Sequence, residues 1–225
     1  MATPFKVCCI ASYEEARLAI EAGADAIGLV AEMVNGPGIL DDDQITEISA
    51  AVAASHGDRV RRVLLTSRVE ADAIAAHIAE TGVNAVQLVD RTSPEIRRAV
   101  KEAHPDVFLF QVVHVTGERA IDEALEAAIA SDALLLDSGK PDADEKTFGG
   151  TGETHDWAVS AAIVAAADLP VYLAGGLTSD NINDALARVR PHGVDICSGL
   201  RDKENGYRLV PEKLDAFARA LGHGR

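Results

Sequence analysis

Aromatic residues are scarce: one Trp, three Tyr and five Phe make up 4% of a 225-residue chain that is 48% hydrophobic. A core so poor in rings has to be built from Ala, Val, Ile and Leu, which suits buried parallel strands under Ala-rich helices. Basic residues are short as well. Only 21 Lys and Arg stand against 36 Asp and Glu, a formal net charge of −15, and no Lys/Arg-rich run interrupts the pattern. Such a field repels nucleic acid and anionic membrane surfaces, so neither is expected as a partner. An anionic small molecule has to be held by local donors. Cysteine is confined to Cys8, Cys9 and Cys197, with no C-x-x-C spacing. That speaks against a disulfide framework and a zinc site, and for a reducing compartment. No apolar run approaches ~18 residues and no basic-then-apolar leader opens the chain, so neither a membrane span nor export is expected, and the cytoplasm is the expected location.

What is present is alternation. Strand-like runs at Phe5 to Ile10, Ala26 to Val30, Val63 to Leu65, Ala85 to Leu88, Val107 to Val113, Ala133 to Leu136, Val171 to Ala174 and Val194 to Cys197 are each followed by a helical pattern. The helices are expected after Ser12, near Asp41, and over 70–80, 94–103, 118–130, 157–167, 180–189 and 211–221. Ser12-Tyr13-Glu14-Glu15 is a capping-box signal before the first of them. Eight βα units favour a single (β/α)8 TIM barrel over residues 1–225, although a doubly wound sheet shares the local signals. An internal echo supports the count: Glu21 to Val30 and Glu80 to Val89 both read as helix end, Gly stop and buried strand. The longest irregular segment, Ser138 to His155, is of the length and composition of a functional lid.

In such barrels the reacting groups come from the C-terminal ends of the strands. Read in order, those ends carry Cys8 and Cys9, Glu32, Thr66 to Arg68, Val89 and Asp90, His114, Asp137, Gly175 and Gly176, then Ser198 and Gly199. Gly175-Gly176 before a helix start and Ser198-Gly199 on the next strand offer free backbone N–H groups to a phosphate, where one Gly-Gly alone would be only a tight turn. Asp137 either caps a turn or, beside a closing lid, serves as general acid. Cys8 reads by pattern as a small core hydrophobe; a catalytic role needs its thiol acidified or its thiolate formed on substrate binding. His114 and His155 read as solvated loop residues, and a metal site built from them and Asp137 has no support in the spacing. No metal is expected. Lys6, inside a strand, is either a buried charge paired with an acid such as Asp195 or a strand-end surface lysine.

With these residues the chain resembles the phosphoribosylanthranilate isomerase family. Lys6-Val-Cys8-Cys9-Ile10 resembles the family's K-[IV]-C-G-I, Gly23 to Gly28 its G-A-D-A-[IV]-G, and Asn84 to Leu88 its N-A-V-Q-L. Leu135 to Ser138, Gly149 to Trp157, Ala174 to Leu177 with Asn181, and Val194 to Gly199 follow in the family's order. The resemblance implies an Amadori rearrangement of a phosphoribosyl amine in tryptophan biosynthesis without any cofactor. It puts the general acid on Asp137, the general base on Cys8, and phosphate on Gly175, Gly176, Ser198 and Gly199. Gln87, His114, Arg68 and Arg201 are the further residues offered to the substrate.

Three departures matter. The family's Arg after the second strand, which meets the anthranilate carboxylate, has no counterpart in Glu32-Met-Val-Asn-Gly-Pro-Gly38. Cys9 replaces a Gly, and the lid's Lys/Arg is Glu153. Losing a bidentate clamp on a carboxylate costs recognition, and Arg68, Arg91 or Arg201 would have to replace it from other loops. Two other readings therefore stay open: a paralogue that turns over a different phosphosugar, and a phosphosugar-binding protein without turnover.

Overall fold

The structure, a computed structural model, describes residues 2–34, 36–138 and 156–224. Its strands are β1 Phe5–Val7, β2 Ala26–Val30, β3 Arg61–Thr66, β4 Ala85–Leu88, β5 Phe108–His114, β6 Ala133–Asp137, β7 Val171–Leu173 and β8 Gly193–Ile196. They form a closed barrel in chain order, all pairs parallel, with β1 against β8. The helices between them are α1 Tyr13–Glu21, α2 Asp42–His56, α3 Ala71–Thr81, α4 Pro94–Ala103, α5 Arg119–Ala128, α6 Trp157–Ala166, α7 Ile182–Val189 and α8 Pro211–Ala220. The architecture is a (β/α)8 barrel. Among the described residues, no helix is long and apolar enough to cross a membrane.

Local chemistry sets the helix starts. Asp41 and Gln44 close a reciprocal capping box on α2, and Ser93 with Pro94 starts α4. At α1 only half of the expected box forms: the Ser12 hydroxyl accepts from the Glu15 N–H at 3.2 Å, while the Glu15 carboxylate accepts from Ala11 N–H at 3.1 Å. Each such cap contributes on the order of 1 kcal/mol.

Strand periodicity of two divides the core. One set of strand residues, including Val7, Ile27, Leu29, Leu64, Val86, Leu134 and Leu136, packs outward under the helices. The other set, including Cys8, Val30, Val63, Leu65, Ala85, Phe110, Leu135 and Tyr172, fills the barrel. Phe110 and Tyr172 meet edge-on with centroids 5.3 Å apart. This alternation brings Cys8, two residues beyond Lys6, to the interior at the C-terminal rim.

Three expectations need correction. β1 ends at Val7 rather than Ile10, because the chain turns at Cys9, whose φ of 61° is left-handed and incompatible with a strand. α7 begins at Ile182 rather than 180, since the Asn181 side chain closes a turn by accepting from Thr178 N–H and donating to Gly176 O, both at 2.9 Å. After β8 a 3-10 turn over Ser198–Leu200 and a short antiparallel hairpin, β9 Arg201–Asp202 with β10 Arg208–Leu209, precede α8.

Candidate active site

Cys8 at the end of β1 and Asp137 at the end of β6 line one cleft, together with Gln87, Gly175, Gly176 and Ser198. The thiol, the acid and both glycine-bearing turns thus converge on the C-terminal rim. Cys8 is buried, only 5% exposed, and lines this cleft. The Asp137 carboxylate accepts from the Ser138 N–H at 2.7 Å, and β6 pairs it in register with His114. Gln87, 4% exposed on β4, has a buried side-chain oxygen with no hydrogen-bond partner among the described residues. An orphan acceptor facing a cleft is costly unless a ligand donor satisfies it.

Beneath the cleft Lys6 is fully buried and its ammonium donates to Asp195 Oδ1 at 2.8 Å. Burial works against the Lys6 charge, but the neighbouring Asp195 outweighs it and holds the ammonium protonated. The three thiols meet at the same rim. Cys197 Sγ lies 2.6 Å from Cys9 Sγ and 3.5 Å from the Tyr207 hydroxyl. Hydrogen bonds from Cys197 and Cys9, helped by the Lys6 charge against the cost of burial, hold the Cys8 thiol well below its ordinary range. Contacts with Cys197 and Cys8 push Cys9 up, and the contact with Cys8 together with burial pushes Cys197 up. Of the three sulfurs, Cys8 is the one whose deprotonated form these contacts favour.

The two glycine-bearing turns touch. A side-chain carbon at Gly199 would sit 2.2 Å from Leu177 O, so the β7 and β8 loops pack backbone on backbone. Gly176, Ser198 and Gly199 also line an adjoining pocket with Lys203 and Lys213. Sequence reading passed over both cations: Lys203 sits in the turn of the hairpin after β8 and Lys213 in the first turn of α8.

The other candidates lie elsewhere. Arg201, 1% exposed, borders that adjoining pocket, but its guanidinium donates to Cys8 O at 2.9 Å, Cys9 O at 2.7 Å and the Glu15 carboxylate at 2.7 Å. It braces the cysteine turn from below. Arg68 donates to Ala73 O at 3.2 Å and to Asp42 at 3.5 Å, in a separate pocket beside Glu32. His114 is 4% exposed rather than solvated; its Nε2 bonds Val89 O at 3.1 Å, and it lines a different cavity with Arg91. None of these three side chains lines the cleft of Cys8 and Asp137. On the wall after β2, the cleft is lined by Met33, Gly36 and Pro37, and no described lining residue is basic. The lid residues 139–155, including Glu153 and His155, lie outside the described residues.

The model of the family described as N-(5'phosphoribosyl)anthranilate (PRA) isomerase matches residues 5–208. N-(5'-phosphoribosyl)anthranilate isomerase 2 of Methanosarcina mazei is 34% identical over 215 residues, covering 96% of this chain and 92% of that protein. The isomerase of Natronomonas pharaonis is 32% identical, covering 98% of each. Among solved structures, the phosphoribosyl anthranilate isomerase of Thermotoga maritima superposes with a TM-score of 0.81 at 26% identity, covering 98% of both chains.

Proposed function

The chain belongs to the N-(5'-phosphoribosyl)anthranilate isomerase family, and from that membership we propose that Cys8 and Asp137 carry its chemistry on a phosphosugar pinned by Gly175, Gly176, Ser198 and Gly199. The protein is an isomerase, and the reaction is the Amadori rearrangement of N-(5'-phosphoribosyl)anthranilate. Asp137 delivers a proton to the furanose ring oxygen as the C1'–O bond breaks, which leaves an open-chain Schiff base. The Cys8 thiolate removes the C2' proton and gives the enolamine, which tautomerises to the ketone. No atom enters or leaves.

One observation carries this reading: an acidified thiol from β1 and a carboxyl from β6 line the same cleft as the two closing turns. The turns offer backbone N–H groups to the phosphate, with Lys203 and Lys213 beside them. The unsatisfied Gln87 oxygen fits a ribose hydroxyl or the substrate amine. Three free thiols at one site suit a reducing, cytoplasmic setting.

Loss of anthranilate fluorescence on mixing the protein with phosphoribosylanthranilate tests the reading. Asp137→Asn should abolish turnover, and Cys8→Ala should lower kcat by roughly 10²–10⁴. Undiminished turnover in either variant overturns the assignment.

A further inference from the structure

Cys9 and Cys197 stand apart from the chemistry just described. Each lines the cleft beside Cys8, and their sulfurs are 2.6 Å apart, against about 2.05 Å for a sulfur–sulfur bond. Nothing has to move far for them to join. Cys9 is also held at a left-handed φ of 61°, where most side chains are disfavoured. A sequence free to place glycine there instead carries a thiol aimed at another thiol 188 residues away.

We propose that Cys9 and Cys197 are an oxidative modification site, a dithiol that hydrogen peroxide closes to a reversible disulfide through the sulfur of Cys8. The Cys8 thiolate attacks one peroxide oxygen, the O–O bond breaks, hydroxide leaves, and Cys8 becomes a sulfenic acid. The Cys197 sulfur displaces the hydroxyl group, giving a Cys8–Cys197 disulfide and water. Cys9 then attacks the Cys197 sulfur, releases Cys8 as thiolate and leaves the Cys9–Cys197 disulfide, its proton neutralising the hydroxide of the first step. Two thiols have given up two protons and two electrons, and one peroxide has become two waters.

The order follows from the site. Cys8 is the sulfur whose deprotonated form its contacts favour, it lines the cleft with Cys9 and Cys197, and a thiolate, not a thiol, attacks peroxide. Resolution by a neighbouring cysteine stops oxidation before the irreversible sulfinic acid. The closed disulfide withdraws both thiol donors from Cys8, so turnover falls until a thiol reductant reopens it. That last consequence rests on Cys8 as the base; the cross-link itself does not.

The full-length protein, reduced, treated with hydrogen peroxide, alkylated, digested and mass-mapped, gives the test. A peptide linking residues 8–9 to Cys197, removed by dithiothreitol, is expected. Cys8→Ala should still form the link, at least about tenfold more slowly because no thiolate initiates it. Cys9→Gly should stop at the Cys8–Cys197 disulfide, because the final exchange has no attacking sulfur, and Cys197→Ser should form no link and accumulate sulfinic acid at Cys8. Absence of a Cys9–Cys197 link in the wild-type protein, or absence of the Cys8–Cys197 link in Cys9→Gly, overturns the proposal. Turnover followed in parallel separates the two readings, because a protein inactive toward phosphoribosylanthranilate yet forming the link loses only the assignment of Cys8 as base.

Discussion

Lys6 and Asp195 stand opposite each other in the register of β1 and β8, and their side chains meet at 2.8 Å inside the barrel. The pair ties together the first and last strands, the seam at which the sheet closes. It also lies two residues below Cys8 on one strand and two below Cys197 on the other. A charge pair in this position fixes the floor on which the thiols rest.

Asp195→Asn or Lys6→Met alone leaves one buried charge without its partner, which should cost about 3–5 kcal/mol of stability. The double change Lys6→Met/Asp195→Asn should regain a large part of that loss, because no unpaired charge remains. Urea denaturation of the four proteins checks this. Additive losses in the double variant would show that the pair is not coupled.

Gly199→Ala forces a methyl group to within 2.2 Å of Leu177 O, and the two turns must part. Since a misplacement of about 1 Å at a binding turn can cost about 100-fold, kcat/KM is expected to fall by that order, mainly through KM. Steady-state kinetics, with inorganic phosphate as competitor, reads the effect. Unchanged KM and unchanged phosphate inhibition remove these turns from the phosphate site.

The pH profile carries a sign. Hydrogen bonds from Cys197 and Cys9 and the charge of Lys6 hold the Cys8 thiol down, and the thiolate is the form that takes the C2' proton. Its fraction rises with pH, so a lowered value moves the ascending limb of kcat/KM below the ordinary thiol position of about 8.5. Cys197→Ala removes one donor and should move that limb upward. A limb at the free-thiol position in the wild-type protein contradicts the arrangement.

No described residue lining the cleft is basic, and Arg68 is engaged with Asp42 and Ala73 O. The anthranilate carboxylate therefore gains little, and the phosphoribosyl derivative of aniline should be turned over with kcat/KM within about tenfold of the natural substrate. A preference of more than about 100-fold for the carboxylate-bearing substrate would mean that a cation reaches it.

Much of the fold was legible because period-two apolar runs and capped helices are local signals. β2 and β4 fall where the residue pattern puts them, as does α4 with its Ser-Pro start. The end of β1 was misread because a positive φ at a cysteine leaves no mark in composition. The hairpin after β8 was missed for a different reason: two strands of two residues each are too short to show a period. With it went the approach of Lys203 to the glycine turns.

The sequence by itself determined the eight βα units, the strand ends that carry Cys8, Asp137 and the glycine turns, and the family, since each depends on residues near one another in the chain. Tertiary structure alone decided which strand ends share a cleft, that Arg201 braces the cysteine turn while Arg68 faces Asp42, and that Cys9 meets Cys197. The contacts of Arg201 and Cys197 with the cysteine turn arise when β8 closes on β1. Closure brings together residues nearly 190 positions apart, and no local propensity encodes which side chains meet across that seam.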